Sequence, residues 1–135
     1  MKDTALVIFV DSKGLVLLQQ KTYDAPHFPG VWSLFGGTIE GGETALEAAQ
    51  RETKEELGLV LRTTAFTFFR DFPSLEKNRT IFVASIDDTI MPVLQEGRGL
   101  GYFSKKEIEH LNMPLHIRKI LRIYFDVTKK TRKDS

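Results

Sequence analysis

The stretch from Gly36 to Leu59 constrains this chain most, because a glycine-rich turn there leads directly into an acidic segment without proline. A helix is predicted from about Glu43 or Thr44 to Leu57, since Gly58 is well placed to end it. Glutamate near the start of a helix suits the positive end of the helix dipole. The rest of the chain must therefore provide a surface on which this one helix can pack.

The predicted helix has a packing arc and a neighbouring acidic arc. The packing arc, expected to face a sheet, consists of Leu46, Ala49, Thr53 and Leu57. The acidic arc brings Glu52, Glu55 and Glu56 together, because positions i, i+3 and i+4 adjoin on a helix. Clustered carboxylates repel one another unless a cation compensates, and hard oxygen ligands select Mg²⁺, Mn²⁺ or Ca²⁺. The alternative is an ordinary solvent-exposed helix in which Arg51 and Lys54 offset the charge.

The remaining segments predict strands on either side of this helix and two helices at the end. Strands are expected at Ala5 to Val10, Leu15 to Gln20, Val31 to Phe35, Leu59 to Phe72 and Arg79 to Ile86, and helices at Ser104 to Leu111 and Pro114 to Val127. This order is not a regular βαβ repeat. It predicts an α+β fold, in which helices pack against a mixed sheet.

The composition limits the classes of protein that fit. A chain of 135 residues, 41% of them hydrophobic, suits a single domain spanning residues 1–135, with residues 129–135 as a frayed basic tail. The absence of cysteine excludes disulfides, thiolate zinc sites and a cysteine nucleophile, and it fits the cytoplasm. No segment is apolar enough to span a membrane, and a net charge of +1 argues against nucleic acid as the partner. A homodimer is compatible with these features.

The spacing of the glycine and charged residues in this stretch matches a known pattern. The pattern consists of Gly37, Glu43, Arg51, Glu52, Glu55, Glu56, Gly58 and Leu59. At this spacing, the 23 residues from Gly37 to Leu59 closely resemble the signature of the Nudix hydrolases. Thr53 stands where that signature prefers an aliphatic residue, and Phe35 stands where the family often has proline.

The resemblance implies a fold and a chemistry. It implies an α/β/α sandwich that hydrolyses a nucleoside diphosphate linked to another group, such as a nucleoside triphosphate or a nucleotide sugar. Glu52, Glu55, Glu56 and the carbonyl of Gly37 are then the expected ligands of Mg²⁺ (or Mn²⁺). Arg51 is expected to orient the carboxylates through charge-assisted hydrogen bonds.

The general base and the substrate-binding residues lie beyond what the signature specifies. Glu55 or Glu56 is one source of the base, and Glu96, in the loop before Tyr102, is the best candidate outside the helix, with an ordinary loop glutamate as the alternative. The aromatic residues expected to bind the substrate by stacking are Tyr23, Phe35 and Tyr102.

Two other functions remain open at this point. One is a nucleotide-sensing or protein-interaction module that keeps the fold without turnover. The other is pyrophosphohydrolysis at the 5′ end of RNA, for which the basic tail is the only support in the sequence.

Overall fold

Seven strands and three helices make up the part of the chain that the structure, a computed structural model, describes: residues 2–26, 29–87, 89, 92 and 99–134, with side chains as far as 129. The strands are β1 (Thr4–Val10), β2 (Val16–Gln20), β3 (Trp32–Ser33), β4 (Phe35–Thr38), β5 (Phe66–Pro73), β6 (Asn78–Ser85) and β7 (Gly99–Phe103). The helices are α1 (Ala45–Leu57), α2 (Lys105–Ile108) and α3 (Leu115–Asp134).

All seven strands belong to one mixed sheet, built around β1. The main order is β3-β2-β1-β6-β5, while β4 also pairs with β1 and β7 also pairs with β2. β1 runs parallel to β6 along its whole length. On its other edge, β1 pairs antiparallel with β4 from Thr4 to Val7 and with β2 at Phe9 and Val10. Two different strands therefore share one edge of β1 and diverge from each other there.

The sheet carries a hydrophobic core on each face, because successive side chains of a strand point to opposite sides. On the α1 face, Val7, Phe9, Leu17 and Phe35 pack with Ala48, Ala49 and Leu57 of the helix. On the other face, Ile8, Leu18 and Ile81 pack with Ile117, Ile120 and Leu121 of α3. Helices thus cover both faces of the sheet, and the predicted α+β sandwich is confirmed.

Local signals fix both ends of α1, close to the predicted bounds. The Thr44 hydroxyl accepts from the N–H of Glu47 at 3.1 Å, and the Glu47 carboxylate accepts from the N–H of Thr44 at 2.9 Å. Gly58 ends the helix in the left-handed region, with φ of 68°. Thr53 is buried as expected, and its hydroxyl donates to the carbonyl of Ala49.

Several element bounds differ from the prediction. The strand predicted from Val31 to Phe35 is two strands, β3 and β4, and α2 ends at Ile108 and not at Leu111. The strand predicted from Leu59 begins only at Phe66, since the chain first crosses the end of α1 and makes a short 3₁₀ turn at Thr63–Ala65. α3 continues past the predicted end at Val127 to Asp134, because no glycine or proline interrupts it. In the described part of the chain, no helix is long and apolar enough to cross a membrane.

Candidate active site

Arg51 is the centre of a charged cluster on α1. Its Nε donates to Glu43 Oε2 at 2.7 Å and its Nη2 donates to Glu43 Oε1 at 3.1 Å, which is a two-pronged contact. Its Nη1 donates to Glu52 Oε1 at 3.0 Å and to Glu55 Oε2 at 3.2 Å. Nη2 also donates to the carbonyl of Thr38 at 3.0 Å. One guanidinium therefore ties two carboxylates of the acidic arc to the turn that precedes the helix.

These contacts shift the ionisation of the groups that make them. The hydrogen bonds from Arg51, followed by the bond from the N–H of Glu40, hold the pKa of Glu43 below its usual range. In return, the bonds to Glu43, opposed by burial and supported by Glu52, raise the pKa of Arg51. Arg51 is thus a permanent cation, and Glu43 is its main anionic partner at neutral pH.

Glu56 reaches the sheet from the same helix at the point where β2 and β4 diverge. Its Oε1 accepts from the N–H of Gly36 at 2.7 Å, and its Oε2 accepts from Gln19 Nε2 at 3.0 Å. Gln19, which is buried, also donates through Nε2 to the carbonyl of Leu34. The strands therefore fix both oxygens of this carboxylate.

Gly36 and Gly37 of β4 are needed because neighbouring groups come too close for a side chain. Gly36 has φ of 129°, and a Cβ there would lie 2.1 Å from the carbonyl oxygen of Ala5 on β1. A Cβ on Gly37 would lie 2.6 Å from Glu52 Oε1. The backbone of Gly37 and the carboxylate of Glu52 are thus in direct contact.

The residues expected to hold a divalent cation fit it in donor type. Glu52, Glu55 and Glu56 supply the hard oxygen donors that Mg²⁺ prefers, and the missing side chain of Gly37 leaves a cradle beside Glu52. In the observed rotamers, however, Arg51 and the strands engage these carboxylates. Among the residues that the structure describes, no three carboxylate or imidazole side chains converge closely enough to hold an ion as they stand. Binding of a cation therefore requires side-chain rotation, which is easiest for Glu55 because 53% of its side chain is exposed.

A cavity of about 740 Å³ opens beside this cluster. Its residues come from the start of β1, the end of β2, residues Gly36 to Thr38 of β4, the β5–β6 turn and the start of α3. Glu56 lines one end of it, next to Gly36 and Gly37. The arrangement can therefore accept a small molecule whose reacting group lies against Gly36, Gly37 and Glu56.

The structure places the predicted aromatic residues away from this cavity. Phe35 is fully buried and packs edge-on against Phe9, with ring centroids 5.6 Å apart, so the prediction that it stacks on a substrate is wrong. The reason is the pairing of Phe35 with Val7, which turns its ring toward α1. Tyr23 and Tyr102 are 67% and 37% exposed, but neither lines the cavity. Their role in substrate binding stays a prediction.

Glu96 lies outside the described residues, so its predicted role as general base remains a prediction.

Gln19, which holds Glu56, was not predicted from the sequence. The only indication was its place as a polar residue at the end of an apolar strand. The sequence analysis also missed the basic residues that line the cavity, namely Lys21, Lys77, Arg79 and, beside them, His116.

Known proteins resemble this chain along most of its length. The family model of the NUDIX domain matches residues 1–123. The chain is 28% identical over 133 residues to the nucleoside triphosphatase NudI of Escherichia coli O139:H28, covering 89% of this chain and 94% of that protein. It is 34% identical over 95 residues to the NAD-capped RNA hydrolase NudC of Chromobacterium violaceum. That match covers 69% of this chain but only 36% of NudC.

The fold also matches solved structures. The MutT protein from Methanosarcina mazei Go1 superposes with a TM-score of 0.73 at 20% identity, covering 95% of this chain and 97% of that one. At that identity the likeness concerns the fold alone. Together with the family model and the signature geometry on α1, it leads to one conclusion: the chain belongs to the Nudix hydrolase family.

Proposed function

We propose that this protein hydrolyses a pyrophosphate bond in a nucleoside diphosphate linked to another group, with Mg²⁺ or Mn²⁺ as cofactor. Nucleoside triphosphates and nucleotide sugars are the substrate classes. The observation that carries the proposal is the position of Glu56, held by Gly36 and Gln19 at one end of a cavity large enough for a nucleotide. Residues 1–135 act as one domain in this proposal.

Glu52, Glu55, Glu56 and the carbonyl of Gly37 would hold the cation. When bound, a divalent cation offsets the charge that develops on phosphate oxygens and makes a water molecule more acidic. Glu52 is suited to this role because its carboxylate already lies against Gly37. The remaining steps depend on what the protein side chains do.

Arg51 is a positioning residue in this account. Its contacts to Glu43 and to the Thr38 carbonyl anchor the guanidinium, so its Nη1 is held between Glu52 and Glu55. Arg51 could release the Glu55 carboxylate, which would then be free to hold the cation, and still keep its contacts to Glu43. The anchored arginine thus limits the directions in which the acidic arc can move.

Three carboxylates are candidates for accepting the proton of the attacking water. Glu55 is the most exposed of the three glutamates of the acidic arc, and its contacts to Arg51 are the longest, at 3.2 and 3.4 Å. Glu56 is less suited, because two donors already engage its oxygens. Glu96 remains the candidate outside the helix. We assign Glu55 as the first choice and Glu96 as the second.

A second candidate function has a specific observation in its favour. NudC, the relative at 34% identity, is described as a hydrolase of NAD-capped RNA. Hydrolysis of the pyrophosphate bond in an NAD cap at the 5′ end of RNA is therefore the second candidate activity. NudI, which matches nearly its whole length, is described as a nucleoside triphosphatase, and this favours the smaller substrates.

A panel of substrates tests the proposal directly. Nucleoside triphosphates, nucleotide sugars, NAD and NAD-capped RNA are incubated with the protein and Mg²⁺ or Mn²⁺, and the products are separated by chromatography. The expected result is cation-dependent release of a nucleoside monophosphate from a small nucleotide. Heavy-oxygen water then identifies the phosphorus that is attacked. Tight binding of nucleotides with no hydrolysis across the whole panel would instead favour a sensing module.

A further inference from the structure

Part of the cavity lining is basic. Lys77 lies in the β5–β6 turn and Arg79 lies on β6, and both line the cavity together with Lys21, which follows β2. We call Lys77 and Arg79 the basic end, because Lys21 lies only two residues after Gln19, which holds Glu56. Within the described ranges of the chain, neither residue of the basic end forms an ion pair, although the carboxylate of Glu76 also lines the cavity. Lys77 and Arg79 therefore line one space without an ion-pair partner among the described residues.

The sheet register separates the basic end from the proposed reaction centre. Arg79 pairs with Thr4 on β1, and Thr4 pairs with Thr38 on β4, so the three residues form a row across the sheet. With neighbouring strands about 4.8 Å apart, the backbones of Arg79 and Thr38 are about 10 Å apart. The position of Gly36 two residues further along β4 adds to that distance. The two ends of the cavity are therefore suited to two different groups of one ligand.

The pKa of His116 reflects the positive electrostatic potential near the basic end. It lies on the first turn of α3 and lines the same cavity. Burial, together with the charges of Arg79, Lys77 and Lys21, lowers the pKa of His116 to about 4. A neutral imidazole beside three cations leaves the net charge of the basic end to be balanced by a ligand.

We infer that the basic end binds a second phosphate group of the substrate, distinct from the pyrophosphate that is cleaved. A phosphomonoester carries a charge of about −1.5 to −2 at pH 7 and offers three strong acceptor oxygens, which matches the two neighbouring cations Lys77 and Arg79. A neutral nucleobase would leave those cations without a counter-charge. The inference rests on the proposed function for the group at the other end, and it names the substrate class as a nucleotide with an additional phosphate.

That phosphate has two chemical sources, and a binding experiment separates them. One source is a phosphate on the ribose, and the other is the terminal phosphate of a longer chain. Calorimetry compares AMP with adenosine 3′,5′-bisphosphate and adenosine 2′,5′-bisphosphate for the first source. It compares the α,β-methylene analogue of ADP with the α,β-methylene analogue of ATP for the second, because the β-phosphate belongs to the pyrophosphate that is cleaved and only the γ-phosphate is additional. None of these ligands contains a cleavable α,β anhydride bond, so binding is measured without the proposed turnover.

The wild-type protein is expected to bind at least one ligand with the additional phosphate about tenfold more tightly than its reference ligand, which is AMP for the bisphosphates and the ADP analogue for the ATP analogue. In Arg79→Gln and in Lys77→Gln the ratio of the two affinities should fall towards one, while the affinity for AMP itself changes little. Arg62→Gln, at an exposed position that does not line the cavity, is the matched control and should keep the preference. Two positions are tested separately because Lys77 lies in a turn, where a substitution is tolerated even if the change on β6 is not.

Several results would overturn the inference. Wild-type protein without any preference over the reference ligands would contradict it. So would an equal loss of affinity for the reference ligands and for the ligands with the additional phosphate in both variants, because that would mean the cations bind the group shared by all the ligands. A preference that survives in both variants would place the second phosphate elsewhere.

The imidazole of His116 supplies a second measurement, by NMR titration. Occupation of the basic end by a phosphate should raise the pKa of His116, and AMP should leave it almost unchanged. No change with the preferred ligand would contradict the inference. Neither measurement requires hydrolysis, so a protein that shows the expected binding but hydrolyses no nucleotide would refute the proposed function and not this inference.

Discussion

Gly36 and Glu56, 20 residues apart in the chain, are joined by a hydrogen bond of 2.7 Å from the backbone N–H of the glycine to Oε1 of the glutamate. Gly36 can pair with Leu6 on β1 only without a side chain, since a Cβ would collide with the carbonyl of Ala5. The contact therefore links the strand that requires glycine to the helix that carries the acids. It explains why a glycine pair on β4 and an acidic helix occur together in this chain.

Replacement of Gly37 by alanine should damage activity more than stability. The new Cβ would meet Glu52 Oε1 at 2.6 Å and push the carboxylate away from its present position. A displacement of about 1 Å at a reacting centre can lower the rate by about 100-fold, so we expect a loss of that order in kcat/KM.

Gly41→Ala is the control for this variant, because a Cβ at that position meets nothing within 4 Å. It should retain activity. Equal activity of Gly37→Ala and Gly41→Ala would show that the contact between Gly37 and Glu52 does not matter for catalysis.

Gln19→Leu should lower kcat with little change in KM. The substitution removes the donor to Glu56 Oε2 and keeps the N–H of Gly36 as the donor to Oε1. A hydrogen bond to a charged group is worth about 1.5 to 3 kcal/mol, so a loss of about tenfold or more in kcat is expected. Gln50→Ala removes a bond to the Leu61 carbonyl instead and should affect stability alone. A purely structural role for Gln19 would leave kcat of the folded variant intact.

Stability should fall as the pH drops from 6.5 towards 4, in part because of His116. Its pKa is about 4 in the folded protein and 6.5 as the ordinary value, so the unfolded chain binds more protons between these limits. The free energy of unfolding therefore rises with pH in this window, and this contribution is constant above it. The difference corresponds to at most about 3 kcal/mol before solvent screening reduces it.

Chemical denaturation of wild type and His116→Gln at several pH values tests this expectation. The variant should lose less stability than the wild type between pH 6.5 and 4.5, above the range in which most carboxylates titrate. The groups that face His116 are Lys21, Lys77 and Arg79, with Glu76 lining the same cavity. His110→Gln, at an exposed position, is the control. Parallel pH profiles for wild type and His116→Gln would contradict the assignment.

Thr44→Ala should destabilise the fold by about 1 kcal/mol without changing the chemistry of the site. The substitution removes the hydroxyl that accepts from the N–H of Glu47 at the first turn of α1. Thermal unfolding measures the effect, and Thr64→Ala at an exposed position provides the comparison. A change in melting temperature no larger than that of the control would mean that the cap is not needed.

The acidic helix was predictable because its signals are local. Glycine beyond the last turn and the spacing of the apolar residues defined its bounds, and the structure places them at Ala45 and Leu57. The spacing of Glu52, Glu55 and Glu56 also sets which side of the helix they share, because it depends only on helix geometry. The hydrogen bonds from Arg51 to Glu52 and Glu55 are also local, since they join residues one and four positions apart on the helix.

The features that sequence reasoning missed depend on contacts between distant segments. The ring of Phe35 points into the core because β4 pairs with β1 in a register that no local pattern shows. Arg79 and His116 share one cavity only because β6 and the start of α3 meet on the same face of the sheet. Gln19 meets Glu56 for a similar reason, across 37 residues of chain.

The most direct test of the central claim is the steady-state hydrolysis of the best nucleotide substrate in Mg²⁺ by Glu55→Gln and Glu56→Gln. Each variant keeps the shape of the side chain and removes its charge. Glu40→Gln, on an exposed loop residue outside the cavity, is the matched control. We expect kcat to fall by at least about 100-fold in both site variants, consistent with loss of general-base catalysis or of a cation ligand, and to stay near the wild-type value in the control. Unchanged turnover in both Glu55→Gln and Glu56→Gln would contradict the account.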